Sequence, residues 1–223
     1  MKQPKLGREY LTPAYSQADV AQIIRATPST VQRWTTGYSD RGTSVPPLVS
    51  GVTPGRGYTV PFIGLAEAYV LNAFRKAGLP MQRIRPAVEV LKKGIVGLDY
   101  VLANNRLVTD GAEILYKSED EFDRRLIVLR NGQAVFTEVV QDFLKEIDFG
   151  PLGYATSIRL PQFADVDVFI RPGLNGGRPT LRSRGIAVDD VLGRVRAGEP
   201  PADVALDYGI SHDEIMYLNR IAA

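Results

Sequence analysis

The stretch "SQADVAQIIRATPSTVQRW", residues 16–34, decides how the chain is read. It predicts two short helices joined by a tight break, the unit that many proteins set into the DNA major groove. Ser16 stands as an N-cap with Asp19 three residues on, a weak capping box. Val20, Ile23 and Ile24 recur at helical spacing. Thr27 before Pro28 marks a second helix start, and Val31 and Trp34 form its apolar face. A helix-turn-helix needs a small residue on its first helix and a left-handed residue, usually Gly, in the turn. It also needs two apolar residues on the second helix that pack back. Here the positions are Ala21, Arg25, Val31 and Trp34. Arg25 replaces Gly, so the turn is expected to be strained or differently shaped. The face expected to be exposed offers Ser29, Thr30, Gln32, Arg33 and Thr35, types that bond phosphates or read base edges. Packing without DNA contact is the plainer alternative for such a helix pair.

Charge supports the DNA reading. Residues 1–97 hold 13 Lys and Arg against 5 acids, whereas residues 98–223 hold 14 against 20. A basic head on an acidic body suits an anion partner for the head. The 223 residues, 44% hydrophobic, are enough to bury a core without disulfides or metal. With no Cys and one His, thiolate zinc and iron–sulfur sites are excluded. No acid–base pair or nucleophile stands out, so no enzyme, catalytic residue, metal or cofactor is expected. The start "MKQPKLGREYLTPAY" has no signal-peptide core, and no run of about 18 apolar residues occurs. The expected setting is the cytoplasm, away from membrane.

The pattern predicts an α+β chain in three regions. Residues 1–97 form a helical head, with "RGTSVPPLVSGVTPGRGYTVPF" (41–62) as a hairpin wing or irregular loop. Two amphipathic helices follow, "IGLAEAYVLNAFRKAG" and "MQRIRPAVEVLKKG", the latter with Pro86 near its first turn. Residues 98–166 carry strand signals, with hairpin turns at Asp110-Gly111 and Asn131-Gly132. "FTEVVQDFLKEIDF" reads as a helix and "ATSIRLP" as a strand. The acids of "SEDEFDRR" (118–125) read as a solvated helix start, with a magnesium site as the alternative. Residues 167–223 read as an initial strand "VDVFIRP", a Gly-rich turn "GLNGGRPT" and three helices. The last two helices repeat the helix-turn-helix spacing at Ala205, Gly209, Ile215 and Leu218. Asp213 and Glu214 begin the second of them, which suits its dipole but opposes a phosphate backbone. Packing or protein contact is the expected use of that pair.

Residues 15–93 resemble the MerR-type winged helix-turn-helix, through "YSQADVAQIIRATPSTVQRW", "PGRGYTV" and "LNAFRKAGLPMQRIRPAVEVL". Residues 168–218 resemble a small domain of unknown function, with its strand, Gly-Gly-Arg-Pro loop, Arg-rich stretch and three helices. That domain is commonly encoded beside PIN-like ribonuclease toxins, and the combination resembles a long VapB-type antitoxin of the mycobacterial kind. The resemblance implies a type II antitoxin that neutralises a PIN-like ribonuclease and represses its own operon. The alternative is a MerR-like regulator that answers to an effector and has no toxin. On the first reading Gln32 and Arg33 face bases, and Ser29, Thr30, Arg41 and Arg56 hold phosphates. A homodimer on operator DNA is expected by symmetry. Residues 171–196 are net positive and 197–223 net negative, a two-signed surface suited to a protein partner. Arg178, Arg182 or Arg184 would meet the nuclease's metal-binding carboxylates.

Overall fold

A computed structural model describes residues 6–94, 99–107 and 142–222. The chain forms two compact units, 1–155 and 156–223. The two turns at Asp110-Gly111 and Asn131-Gly132, and the acidic stretch 118–125, lie outside the described residues.

The first unit opens with α1 (Arg8–Leu11) and β1 (Pro13–Tyr15). The helix-turn-helix follows as α2 (Gln17–Ile24) and α3 (Pro28–Thr36). A hairpin, β2 (Tyr38–Asp40) and β3 (Thr43–Val45), comes next, and β4 (Val60–Pro61) returns to pair with β1. Then come α4 (Phe62–Lys76) and α5 (Met81–Gly94), the latter carrying Pro86. The hairpin therefore sits directly after α3. Its turn places both Arg41 and Gly42 at positive φ, as a two-residue primed turn requires. The "PGRG" segment is instead an irregular loop, closed where Thr53 N donates to Thr59 O at 3.0 Å.

Helix α4 differs from its expected amphipathic form. Every residue from Phe62 to Phe74 is buried, Glu67 and Asn72 included. It is the central rod of the unit, packed against α1, α2, α5, β1, β4 and a 3₁₀ turn at Val101–Ala103. A helix covered on all sides has no polar stripe to preserve. The segment expected as a helix through residue 149 ends instead in β5 (Ile147–Phe149). The chain must reverse at Gly150-Pro151, where Gly153 N closes on Gly150 O at 2.8 Å.

The second unit is an antiparallel meander of β6 (Ala155–Arg159), β7 (Val168–Ile170), β8 (Thr180–Leu181) and β9 (Ile186–Ala187). Three helices follow: α6 (Val188–Arg196), α7 (Pro201–Tyr208) and α8 (His212–Ala222). Strand β6 pairs with β7, so this unit begins ahead of the residue 167 expected from the sequence. The Gly-rich turn carries positive φ at Gly173, Asn175, Gly176 and Gly177. Asn175 Nδ2 then locks the loop by donating to Thr180 Oγ1 at 3.1 Å and Gly185 O at 2.9 Å. The α7–α8 pair has the expected spacing: Ala205, Ile215 and Leu218 are buried and Gly209 is left-handed at φ 62°. Glu214 has a local task there. Its carboxylate accepts from Ser211 N at 2.7 Å while Glu214 N donates to Ser211 Oγ, a full capping box. No helix among the described residues is long and apolar enough to cross a membrane.

Candidate nucleic-acid interface

The α2–α3 unit is built by local chemistry. Asp19 N donates to Ser16 Oγ at 3.1 Å and Ser16 N to Asp19 Oδ2 at 2.8 Å, so the capping box closes both ways. Thr30 N donates to Thr27 Oγ1 at 3.3 Å and starts α3, with Pro28 at its first position. Ala21, Val31 and Trp34 are buried, so the two helices meet at close range.

Arg25 occupies the turn at φ 53°, ψ 54°, in the left-handed region. The turn therefore keeps its usual shape, and the strain falls on Arg25. Ala26 N closes it on Ala21 O at 2.9 Å. A left-handed non-glycine residue costs about 1–2 kcal/mol, partly offset by the freedom glycine loses on folding. Arg25→Gly should thus raise stability by about 0.5–1 kcal/mol in urea denaturation. A destabilised Arg25→Gly protein would mean that the Arg side chain earns back more than its backbone strain.

Helix α3 exposes Ser29, Gln32, Arg33 and Thr36, one stripe at the three- and four-residue spacing of a helix. Thr30 is half-buried beside it. The Thr27 hydroxyl lies 2.9 Å from that of Thr30 and 3.2 Å from that of Ser29, gathering three hydroxyls at the helix N-terminus. Thr35 was expected on the exposed face and is not there. It is 4% exposed, and its hydroxyl donates to Val31 O at 2.9 Å. Four residues after Val31, Thr35 shares the packed face; Thr36 takes the exposed place. Arg41, at the hairpin tip, and Arg56, in the irregular loop, are both exposed.

Side chains from α4 and α5 fix the segment that follows α3. Arg85 Nη1 donates to Pro46 O at 2.7 Å, and Lys92 Nζ to Leu48 O at 3.0 Å. Ser50 N donates to Glu67 Oε2 at 2.6 Å. Leu48 N and Val49 N both bond the Trp34 carbonyl, at 2.8 and 3.0 Å. On the other side, Asn72 Nδ2 donates to Ile24 O at 2.6 Å and satisfies the end of α2. Sequence reading found none of these tethers, nor Tyr38, whose ring lies 5.3 Å from the Arg33 guanidinium carbon.

In the second unit, the three arginines expected to face a partner are not equivalent. Arg178 is bonded to Asp190 at 2.6 and 3.2 Å, and this carboxylate holds its guanidinium above the usual arginine range. Arg182 pairs with Asp167 at 2.8 Å and lies over the Phe169 ring at 4.3 Å. Both have carboxylates of their own, because Asp167 stands just ahead of β7, which pairs with β8, and Asp190 stands in the first turn of α6. Arg184 has no carboxylate partner among the described residues and rests against the α7–α8 turn at Gly209. The two helices of that turn expose Leu206 (82%) and Met216 (48%).

Residues 13–88 match a family described as "Putative DNA-binding HTH domain", and residues 168–217 match "Protein of unknown function (DUF433)". The chain is similar to "Putative antitoxin VapB45" of Mycobacterium tuberculosis, 39% identical with 98% of each chain covered. It is also 29% identical to "Uncharacterized protein Rv2308" of the same organism, over 90% of this chain and 86% of that one. The crystal structure of Rv2018 from Mycobacterium tuberculosis superposes with a TM-score of 0.76 at 33% identity, covering 93% of this chain and 97% of that one. The chain therefore belongs to the VapB45 family, and in it an HTH DNA-binding domain is joined to a DUF433 domain.

Proposed function

We propose that this protein is the DNA-binding antitoxin of a type II toxin–antitoxin pair. Its α3 enters the major groove of its own operator and represses the operon, and its second unit holds a PIN-like ribonuclease. The observation that carries the reading is the full-length likeness to an antitoxin with the reading face of α3 intact. Ser29, Gln32, Arg33 and Thr36 lie exposed on one stripe, with no acid between Asp19 and Asp40. Gln32 and Arg33 would read base edges; Ser29 and Thr30, at the helix N-terminus, would hold phosphate with Arg41 and Arg56. Thr35 leaves this set, and Thr36 takes its place.

Arg33→Ala should cost about 1–3 kcal/mol of operator affinity and relax sequence preference. Arg56→Ala should weaken binding to all sequences alike and lower the salt slope by about one. Titration of a duplex spanning the upstream promoter, against a scrambled duplex, checks both. Unchanged binding by Arg33→Ala would place α3 outside the groove. A homodimer, the usual state of such readers, should show in light scattering at twice the 24.5 kDa chain mass.

Toxin capture falls to the second unit, and Arg184 is its best-placed cation. Arg178 and Arg182 would first have to leave Asp190 and Asp167. Arg184, exposed and resting against Gly209, can meet a nuclease carboxylate directly. Co-expression with the product of the adjacent reading frame should give a complex on size-exclusion chromatography. That product's ribonuclease activity should be blocked by the full chain and less well by Arg184→Ala. A neighbour with no nuclease activity would favour the effector-responsive regulator instead.

A further inference from the structure

The Arg33 side chain is not left to rotate on an open helix face. Tyr38, the first residue of β2, presents its ring to two guanidiniums, Arg33 of α3 at 5.3 Å and Arg85 of α5 at 5.4 Å. Tyr38 is paired across the hairpin with Val45, and the next residue's carbonyl, Pro46 O, accepts the 2.7 Å bond from Arg85. Arg85 thus grips both strands at the hairpin base, through the Tyr38 ring on one and the Pro46 carbonyl on the other. Its Nε is buried without a hydrogen-bond partner, while the residue as a whole is half-buried. Neither guanidinium has a carboxylate partner among the described residues.

We propose that Tyr38 is a positioning residue for Arg33, and that Arg85 sets Tyr38 in place. The inference rests on the reading that α3 enters the groove. A free arginine on a helix surface samples many rotamers and loses them when it reads a base. A ring face restrains the guanidinium beforehand, and leaves its in-plane N–H donors directed outward to a guanine edge. The like charges of Arg33 and Arg85 at one ring also favour an anion nearby, which the DNA backbone supplies.

The test is operator affinity for the whole protein carrying Arg33→Ala, Tyr38→Ala, Tyr38→Phe, Tyr38→Leu or the double change Arg33→Ala with Tyr38→Ala. The probe is the upstream promoter duplex, with a scrambled duplex for comparison. Tyr38→Ala and Tyr38→Leu should each lose about two- to fivefold of the preference for operator over scrambled DNA, the size of one exposed cation–π contact. Tyr38→Phe, which keeps the ring face, should bind as the parent does. Tyr38→Leu fills the site with an apolar side chain, and far-UV circular dichroism of each variant identifies any loss through unfolding. The double variant should be no weaker than Arg33→Ala alone, because Tyr38 acts only through Arg33. Additive losses would overturn the proposal. So would a Tyr38→Leu protein, folded, that keeps full preference or gains it. If Arg33→Ala itself binds as the parent does, the groove reading fails first. If Arg33→Ala fails to bind while Tyr38→Leu is normal, only the positioning role is lost.

Discussion

Trp34→Ala is expected to cost the first unit about 3–5 kcal/mol, a large part of the roughly 5–15 kcal/mol that holds an ordinary domain folded. Trp34 is 2% exposed at the seam where α3 packs on α2. Its indole fills space that Val31 and Ile24, both buried, cannot collapse into without moving α3. Its carbonyl also accepts from Leu48 and Val49, so a shift of α3 pulls on the segment that leads to the loop. Trp34→Phe keeps an aromatic in the seam and should cost less than half as much. Because Trp34 is the only tryptophan, its fluorescence in the parent reports the first unit alone, even if the two units unfold separately. The variants can then be followed by far-UV circular dichroism in urea. Operator binding should fall with the fraction folded. A loss under about 1 kcal/mol for Trp34→Ala would mean that the α2–α3 seam is looser than described.

What the sequence revealed and what it hid divide along the range of the interactions. The helix-turn-helix was legible because its determinants are local: Ser16 with Asp19, Thr27 with Pro28, and Ala21 against Val31 and Trp34. The second pair was legible for the same reason, at Ala205, Gly209, Ile215 and Leu218. Thr35 was misplaced although the signal was present, since the residue four after a packed Val31 must share its face. The tethers were hidden. Glu67 reaches Ser50 across 17 residues, Arg85 reaches Pro46 across 39, and Lys92 reaches Leu48 across 44, and no short pattern encodes such pairs. The hairpin at Tyr38–Val45 was hidden because Arg41, not Asn or Gly, takes one of its two positive-φ places. Strands β8 and β9, each two residues long, are too short to show alternation. In α4 the polar Glu67 and Asn72 imitate a wet face; both are inside because each serves a backbone group of another segment.

Glu67 should make the first unit lose stability as pH rises from about 4.5 to 7. Its carboxyl is fully buried on α4, and burial lifts its pKa from the ordinary 4.5 to about 7. The Ser50 amide bond and the Lys92 charge oppose that lift without cancelling it. The Leu102 amide also favours the charged form, although Oε1 makes no hydrogen bond. Below pH 4.5 the group is neutral in both folded and unfolded chains and costs nothing. Between 4.5 and 7 the unfolded chain releases the proton and the folded one keeps it, so each pH unit removes up to about 1.4 kcal/mol. Above 7 both forms are charged, and the accumulated loss, about 3 kcal/mol, stays constant. Glu67→Gln removes this ionisation while its amide oxygen can still accept from Ser50 N. Urea denaturation at pH 4.5, 6 and 8 should therefore show the parent falling relative to Glu67→Gln across the series. The difference between the two proteins isolates Glu67 from every other titrating group. The parent and the Gln variant should be close in stability at pH 4.5, with the Gln variant ahead by up to about 3 kcal/mol at pH 8, less whatever the charged bond to Ser50 contributes. Parallel curves would mean that Glu67 ionises freely, with water reaching Oε1 and a looser contact between α4 and the 48–50 segment. The consequence for DNA is direct, because that segment ties the end of α3 to the loop bearing Arg56. An ionised Glu67 without solvent must hold Ser50 more tightly or let α4 open, and the slope of the pH series distinguishes the two.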